Sequence, residues 1–389
     1  MDGLVTAPLR PVAAGGEPQS LRLEIHDGVV ALYRSWRELE QRSAGGSVFQ
    51  SADWCRAWIE AARVVGAVEM PRIVTLWRGS RLVLLWPLAV RRLSVFRVLH
   101  ALAEPATQYG DLLIDPDEDR AALVETAWRA VRSWRDIDVI ELRRVPDGSS
   151  LANLRELARH AVDSSENRAP LVDFRILAAD RADRQRTSRT RNALRRHERL
   201  LAELGPVGFE IVAEPQEQCA AIVEAFALKR KWQEEKSVAS AGYAHRASET
   251  CLQRLAREGR LFVARLRVGE QTAALEIGAL RQRRYWSLVQ SYDLRFAKHA
   301  PGRLLFWHLL ARCPEIGIDV FDFLAPASRH KLEWSNTEIG IRDYLVPASA
   351  RGGVALSYLS IVKPRLRDIY RQLPSRLRGH LTWMLPGLS

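Results

Sequence analysis

The run from Ser291 to Leu310, Ser-Tyr-Asp-Leu-Arg-Phe-Ala-Lys-His-Ala-Pro-Gly-Arg-Leu-Leu-Phe-Trp-His-Leu-Leu, constrains the fold more than any other part of the chain. A strand pattern ends at Tyr292, a short basic loop follows, and Pro301-Gly302 open an apolar helix. Amides in the first turn of a helix lack intrahelical partners and point where an anion can sit. Proline at that position has no N–H to lose and presets the turn. Residues 320–324, Val-Phe-Asp-Phe-Leu, then read as a short strand with a carboxylate in its middle. Strand, open-ended helix and Asp-bearing strand, in that order, can hold a phosphorylated cofactor beside an acid–base group.

A chain of 389 residues suits two domains of ordinary size. At 47% hydrophobic, with twelve tryptophans, it can pack a sizeable core, and Trp36, Trp54, Trp58, Trp128, Trp134 and Trp307 fall where core residues belong. Residues 1–20 read as a disordered leader. Strands are predicted at 21–25, 72–76, 82–90, 95–99, 111–114 and 139–142, and helices at 33–41, 51–64, 120–134 and 150–161, with Ser51 as an N-cap. A second series begins with a strand at 171–176 and a basic helix at 183–204. A strand at 209–212, helices at 216–232 and 247–258, and a hairpin of 261–266 with 272–280 follow. A strand at 285–290, the Pro301 helix and strands at 320–324 and 339–346 complete it. The antiparallel hairpins predict mixed α/β (α+β) sheets. The boundaries fall at 21–168 and 169–350, with a basic amphipathic tail at 351–389.

Cys55, Cys219, Cys251 and Cys313 lie far apart, so neither a disulfide framework nor a metal site is expected, and a reducing cytoplasm fits best. The most apolar window, 82–90, is about half a membrane span and holds Pro87. The net charge of +12 favours anionic partners without choosing among phosphates, glycans, nucleic acid and lipid.

The order Ser291-Tyr292-Asp293, Pro301-Gly302, 321–327 (Phe-Asp-Phe-Leu-Ala-Pro-Ala), Lys331 and Trp334 resembles the acyl-CoA site of the GNAT acyltransferases. Together with Phe49, Trp54, Trp58, the run 108–111 (Gln-Tyr-Gly-Asp) and the Arg-rich helix, it is similar to the FemAB-related, BioF2-like acetyltransferases of cellulose or exopolysaccharide biosynthesis. The resemblance spans residues 36–345. It implies two tandem GNAT-like domains around a central cleft. It also implies a coenzyme A thioester (acetyl-CoA or longer) as acyl donor and an amine on a sugar-linked or envelope precursor as acceptor.

Acyl transfer to an amine needs a proton acceptor, a donor for the developing oxyanion, an acid for the leaving thiolate and an anion site. The anion site would be the amides of His299, Ala300, Gly302 and Arg303, in a segment running from Lys298 to Leu304, with Lys298 and Arg303 adding charge. The usual GNAT loop, Gln/Arg-x-x-Gly-x-Gly/Ala, is reduced here to one glycine, Gly302. Asp322, in an apolar strand, needs a partner, and Lys331 is the nearest in sequence. Either the two line the acceptor cleft, with Asp322 as base or anchor, or they form a buried ion pair. His330 is a candidate proton relay. Gln290 and Tyr292 can polarise the carbonyl or protonate the thiolate, and Glu276 is a second base candidate. Tyr109 and Asp111 are expected to face the groove from the first half.

The arginines at 184, 186, 189, 191, 195, 196 and 199 can hold an anionic acceptor, a transfer RNA or the 3′-phosphate of coenzyme A. The tail alternates arginines with apolar residues, as a docked helix or one lying on an anionic inner-membrane face would. The expected activity is therefore acyl-CoA-dependent N-acyl transfer to a small-molecule or glycan-linked acceptor. The alternatives are a FemAB-like transferase using aminoacyl-tRNA and a non-catalytic scaffold of a polysaccharide-synthesis complex.

Overall fold

The computed structural model describes residues 20–43, 45–67, 69–154, 159–162, 168–176, 188–236, 245–357 and 365. In chain order the first half contributes β1 (Leu21–His26), α1 (Tyr33–Arg42), α2 (Ala52–Val64), β2 (Met70–Pro71), β3 (Ile73–Arg78), β4 (Arg81–Trp86), β5 (Leu88–Leu93), β6 (Phe96–Ala101), β7 (Leu113–Ile114), α3 (Arg120–Arg132) and β8 (Val139–Pro146). The second contributes β9 (Ala161–Val162), β10 (Arg168–Asp173), α4 (Ser188–Ala202), β11 (Val207–Val212), α5 (Pro215–Lys236), α6 (Arg246–Arg257), β12 (Phe262–Val268), β13 (Gln271–Arg281), β14 (Arg284–Tyr292), α7 (Pro301–Arg312), β15 (Val320–Asp322), α8 (Arg329–Leu332), β16 (Thr337–Pro347) and α9 (Ala350–Ser357).

Helix starts follow local chemistry. The Ser51 hydroxyl accepts from Trp54 N at 3.2 Å to open α2, as the sequence predicts, and Asp119 caps α3 through Ala122 N at 3.1 Å. One large mixed sheet runs in the order β11-β12-β13-β14-β15-β10-β16-β8-β6-β5-β2, with β9 attached to β16; a smaller sheet runs β1-β3-β4-β7. All pairings are antiparallel except β14 with β15 and β6 with β8. The same unit therefore occurs twice: a hairpin, a helix, then a strand parallel to the hairpin's second arm. β16 joins the two occurrences, pairing with β10 on one side and β8 on the other.

The sheet separates two cores. On one face α1, α2, α5 and α6 bury Trp36, Trp54, Trp58, Phe226 and Leu252 against Leu275, Ile277 and Val289. On the other, α4 and α7 bury Leu194, Leu201, Leu304, Leu305 and Phe306 against Ala274, Tyr285 and Phe321. A third core fills the first half around Trp86 and Trp128. Trp134 and Trp307, expected as core, are only partly buried.

Three expectations need correction or fall outside this description. The run 82–90, expected as one strand, is two: Pro87 cannot donate to a ladder, and the chain changes sheet there, from β4 to β5. The helix expected over 150–161 is a 3₁₀ turn over Ser150–Asn153, capped by the Ser149 hydroxyl, and Ala161 already pairs in β9. The leader over 1–19, Arg184 and Arg186, and the tail beyond 357 apart from residue 365 lie outside the described residues. No helix among the described residues is long and apolar enough to cross a membrane.

Candidate active site

The site begins with a split between two strands. β14 pairs in parallel with β15 only where Arg284, Tyr285 and Trp286 face Val320, Phe321 and Asp322. Beyond Trp286 the two part. β14 stays on β13, where the register slips between Ile277 and Gly278 and leaves Leu288 as the extra residue of a bulge. β15 ends, and Leu324 turns the chain away at φ 59°. The gap opens into a cavity of about 390 Å³. Ser287, Leu288, Val289 and Gln290 form one lip, and Phe323, Leu324, Ala325 and Pro326 the other. Phe226 and Leu252 line it from one face of the sheet and Phe306 from the other, so the cavity passes through the sheet.

Next to the cavity, joined to it through the lining residue Gln290, stands the N-terminus of α7. Ala300 adopts the left-handed conformation (φ 50°, ψ 49°) and reverses the chain so that Pro301 enters the helix. The expected cradle of amides is partly used up. Ala300 N–H donates to Ala297 O, because residues 294–299 wind into a 3₁₀ turn, and the Arg303 and Leu304 N–H groups both return to Ala300 O. Among the described residues the Gly302 amide alone of the first turn has no intramolecular acceptor. Leu304 is fully buried in the core and can take no part in cofactor binding through its side chain. Lys298 is exposed, and Arg303 pairs with Glu333 at 3.2 Å. His299 and His197 each keep a buried ring Nδ1 without a hydrogen-bond partner. Burial first, then Arg303 and His299, lower the pKa of His197. Gln290 Nε2 donates to Gly302 O at 3.1 Å, and Tyr292 OH accepts from Trp232 Nε1 at 3.1 Å, so both stand where β14 meets α7.

Asp322 does not pair with Lys331. It is fully buried and accepts from Tyr109 OH at 2.9 Å on each oxygen, from Arg284 Nη2 at 2.6 Å and from Leu324 N at 2.8 Å. A carboxylate so enclosed is a poor proton acceptor for substrate; its place is structural, at the end of β15. Tyr109 is correspondingly buried against Asp322 rather than facing the groove. Asp111 is also turned away from the cavity. It accepts from Ser149 Oγ at 2.6 Å and Leu112 N at 2.8 Å, and burial raises its carboxyl to about 6. Glu276, on β13 opposite Gln290 of β14, is fully buried with Tyr285 OH at 3.4 Å; burial pushes its carboxyl to about 8.

Residues 188–332 match the family model for an acetyltransferase (GNAT) domain. No curated protein sequence matches the chain. Among solved structures the fold is similar to FemX, at TM-score 0.59 and 10% identity, over 84% of this chain and 98% of FemX. It is also similar to a conserved protein of unknown function from Bacteroides thetaiotaomicron VPI-5482, at TM-score 0.50 and 13% identity, covering 83% and 99%. L-PGS from Bacillus licheniformis gives TM-score 0.50 and 12% identity, covering 85% and 96%. At such identities the likeness is one of fold.

The matched GNAT segment contains both strands of the split, α7 and Lys331. Lys331 lines the cavity and donates to Leu324 O at 3.0 Å and Pro326 O at 3.2 Å. Burial lowers its ammonium to about 8, against the pull of Asp322. His330 stands at the rim with its pKa lowered, by burial first and Lys331 next. Lys229 of α5 reaches in and donates to Gln290 O at 3.1 Å. The opposite wall comes from outside the GNAT segment: Glu104, Gln108, Arg143 and Arg144. Glu104 has a nearly buried side chain, one oxygen without a partner, and a pKa raised by burial. Sequence reasoning missed Glu104, Lys229, His197 and both arginines. Each is one polar residue in an ordinary pattern; tertiary packing brings Glu104, Lys229, Arg143 and Arg144 to the cavity, while His197 stands outside its lining.

Proposed function

We propose that the protein is an acyl-group transferase of the GNAT kind, built from two GNAT-like halves (21–168 and 169–350), with its reaction centre in the split between β14 and β15. The observation that supports this is a cavity in the split lined from both faces of the sheet, where a donor from one side and an acceptor from the other would meet. The donor enters at the α7 mouth, where the Gly302 amide, Lys298, Arg303, His299 and His197 suit a diphosphate. We assign coenzyme A thioesters as donor class and an amine, sugar-linked or envelope-derived, as acceptor; the acceptor class rests on the sequence resemblance. Lys331 holds two of its ammonium hydrogens on carbonyls and has a third for the carbonyl oxygen as charge builds there. Glu104 takes the proton of the amine, and Tyr292 or Gln290 faces the departing sulfur.

Aminoacyl-tRNA as donor is a second reading, favoured by the spent amides at α7 and by the exposed Arg195, Arg196 and Arg199 of α4 beside them. Calorimetric titration of acetyl-CoA into wild type and Gly302→Trp separates the two. The Cβ at Gly302 would already stand 3.4 Å from Gln290 Nε2, so an indole blocks that mouth. Saturable binding abolished by the variant supports acyl-CoA. No acetyl-CoA binding, together with salt-sensitive tRNA binding, supports the second. Neither kind of binding leaves a scaffold and ends the transferase proposal.

A further inference from the structure

Arg143 and Arg144 are adjacent in β8, yet both line the cavity. Consecutive residues of a regular strand point to opposite faces. Here the ladder with β16 slips: Leu142 faces Tyr344 and Val145 faces Arg342, so both arginines lie opposite Asp343. This is a bulge, and it brings Leu142 and Val145, three apart, into the same core. Arg144 takes a left-handed conformation, φ 52°, which is strained for a side-chain-bearing residue. Its N–H donates to Asp343 Oδ1 at 2.7 Å, and Gly110 seats the bulge from the other side. Its N–H lies 3.2 Å from the Arg143 and Arg144 carbonyls, and a Cβ there would stand 2.6 Å from Arg143 O. The strain is therefore held in place from two sides, by β16 and by the loop at Gly110, and its product is a pair of guanidinium groups on one wall.

The two differ in what they bind. Arg143 is committed to Glu141, at 2.9 Å through Nε and 2.7 Å through Nη2. Arg144 donates through Nη1 to the neutral Gln108 Oε1 at 2.6 Å, and Lys331 across the cavity donates only to carbonyl oxygens. Glu104 is the acid on the same wall as Arg144, and Arg91 pairs with it at 3.6 Å. The lining around this polar strip is apolar: Trp54, Phe226 and Leu252.

We propose that the bulge in β8 is an acceptor-recognition device: Arg144, supported by Arg143, binds a carboxylate or phosphate group carried by the amine that is to be acylated. This rests on the transferase proposal for the amine but not for the anion. A planar guanidinium bonded to a neutral amide retains donors for a bidentate contact with an oxyanion. Anchoring that group on Arg144 leaves the amine of a compact acceptor near Glu104 and its apolar body on Trp54 and Phe226.

The test is calorimetry on the full chain with two matched pairs of amines: phenylalanine against phenethylamine, and glucosamine 6-phosphate against glucosamine. At least one anionic member should bind about tenfold or more tighter than its neutral partner, and which pair shows it identifies carboxylate or phosphate. The preference should vanish in Arg144→Gln and persist in Arg92→Gln, an exposed β5 position outside the cavity. Arg144→Gly removes the same guanidinium while relieving the left-handed strain, so it should melt no lower than wild type and still lose the preference. Equal binding within both pairs, no saturable binding of either anionic amine, or a preference that survives in Arg144→Gly would overturn the proposal. If the preference holds but no amine releases thiol from acetyl-CoA, the anion site stands and the transferase proposal falls.

Discussion

At the scale of single residues the site sets two titrations against each other. Glu104 must be ionised to accept a proton, and burial raises its pKa, so activity climbs as pH rises through that group. Lys331 must keep its proton to meet the oxyanion, and burial lowers it to about 8, so activity falls above that. We expect a bell-shaped profile of kcat/KM whose alkaline limb lies near 8. Glu104→Gln should erase the acid limb and reduce kcat by about 10²–10⁴. Lys331→Gln should erase the alkaline limb with a loss of about 10²–10³. A profile whose limbs do not move in these variants assigns the titrations elsewhere. The sequence exposed only part of this. Lys331 and Gln290, which line the cavity, were legible as candidates because they sit in or beside one contiguous segment; Tyr292, a candidate from the same segment, is not among the lining residues. Asp322 was legible as a buried carboxylate, but its partners were not: Tyr109 lies 213 positions away and Arg284 lies 38. No local pattern encodes such a pairing, so Lys331 looked nearest when it was not.

Among elements, the register of the β13–β14 hairpin decides how the split is held open. Tyr285 crosses directly over Gly278, so that a Cβ on Gly278 would lie 2.1 Å from the ring. The same ring stacks on Phe321 of β15, with centroids 4.6 Å apart at 21°, and meets Phe262 edge-on at 5.4 Å. Gly278→Ala must push Tyr285 outward and disturb the one stretch where β14 and β15 pair. A loss of about 1–3 kcal/mol is expected from such overpacking, read as a lower urea midpoint at unchanged slope. An unchanged midpoint would mean the ring is free to move and the pairing is held elsewhere. Hairpins, the Pro301 helix and β15 were readable from alternation and from caps. The breaks were harder. Pro87 sits in an unbroken apolar run, and period alone cannot tell one long strand from two that enter different sheets. The bulges at Leu288 and Arg144 leave no compositional trace, since the extra residue in each is an ordinary strand or surface residue.

Over the whole molecule the halves are tied by contacts that span the chain. Arg281 donates to Glu40 O at 2.8 Å and Gln282 to Ser43 O at 3.1 Å. Arg260 reaches Asp53 at 2.9 Å, Arg56 reaches Glu258 at 2.7 Å, and Tyr109 closes on Asp322. Removing either half strands several buried charges at once. Calorimetry of the full chain should therefore show one transition, with van't Hoff and calorimetric enthalpies in agreement; two resolved peaks would show that the halves are energetically independent. The order of hairpin, helix and strand in each half was visible in the sequence; that the closing strand runs parallel to the hairpin's second arm was not. The strand that unites the repeats was legible only as another strand, because nothing in residues 337–347 names β8 and β10 as its neighbours. That strand has a kinetic corollary. During synthesis β8 leaves the ribosome about 200 residues before β16 is made, so its edge waits in the nascent chain with its backbone groups unmatched. The last-made strand among the described residues is the keystone of the first-made half, and neither can close before residue 347 has been made.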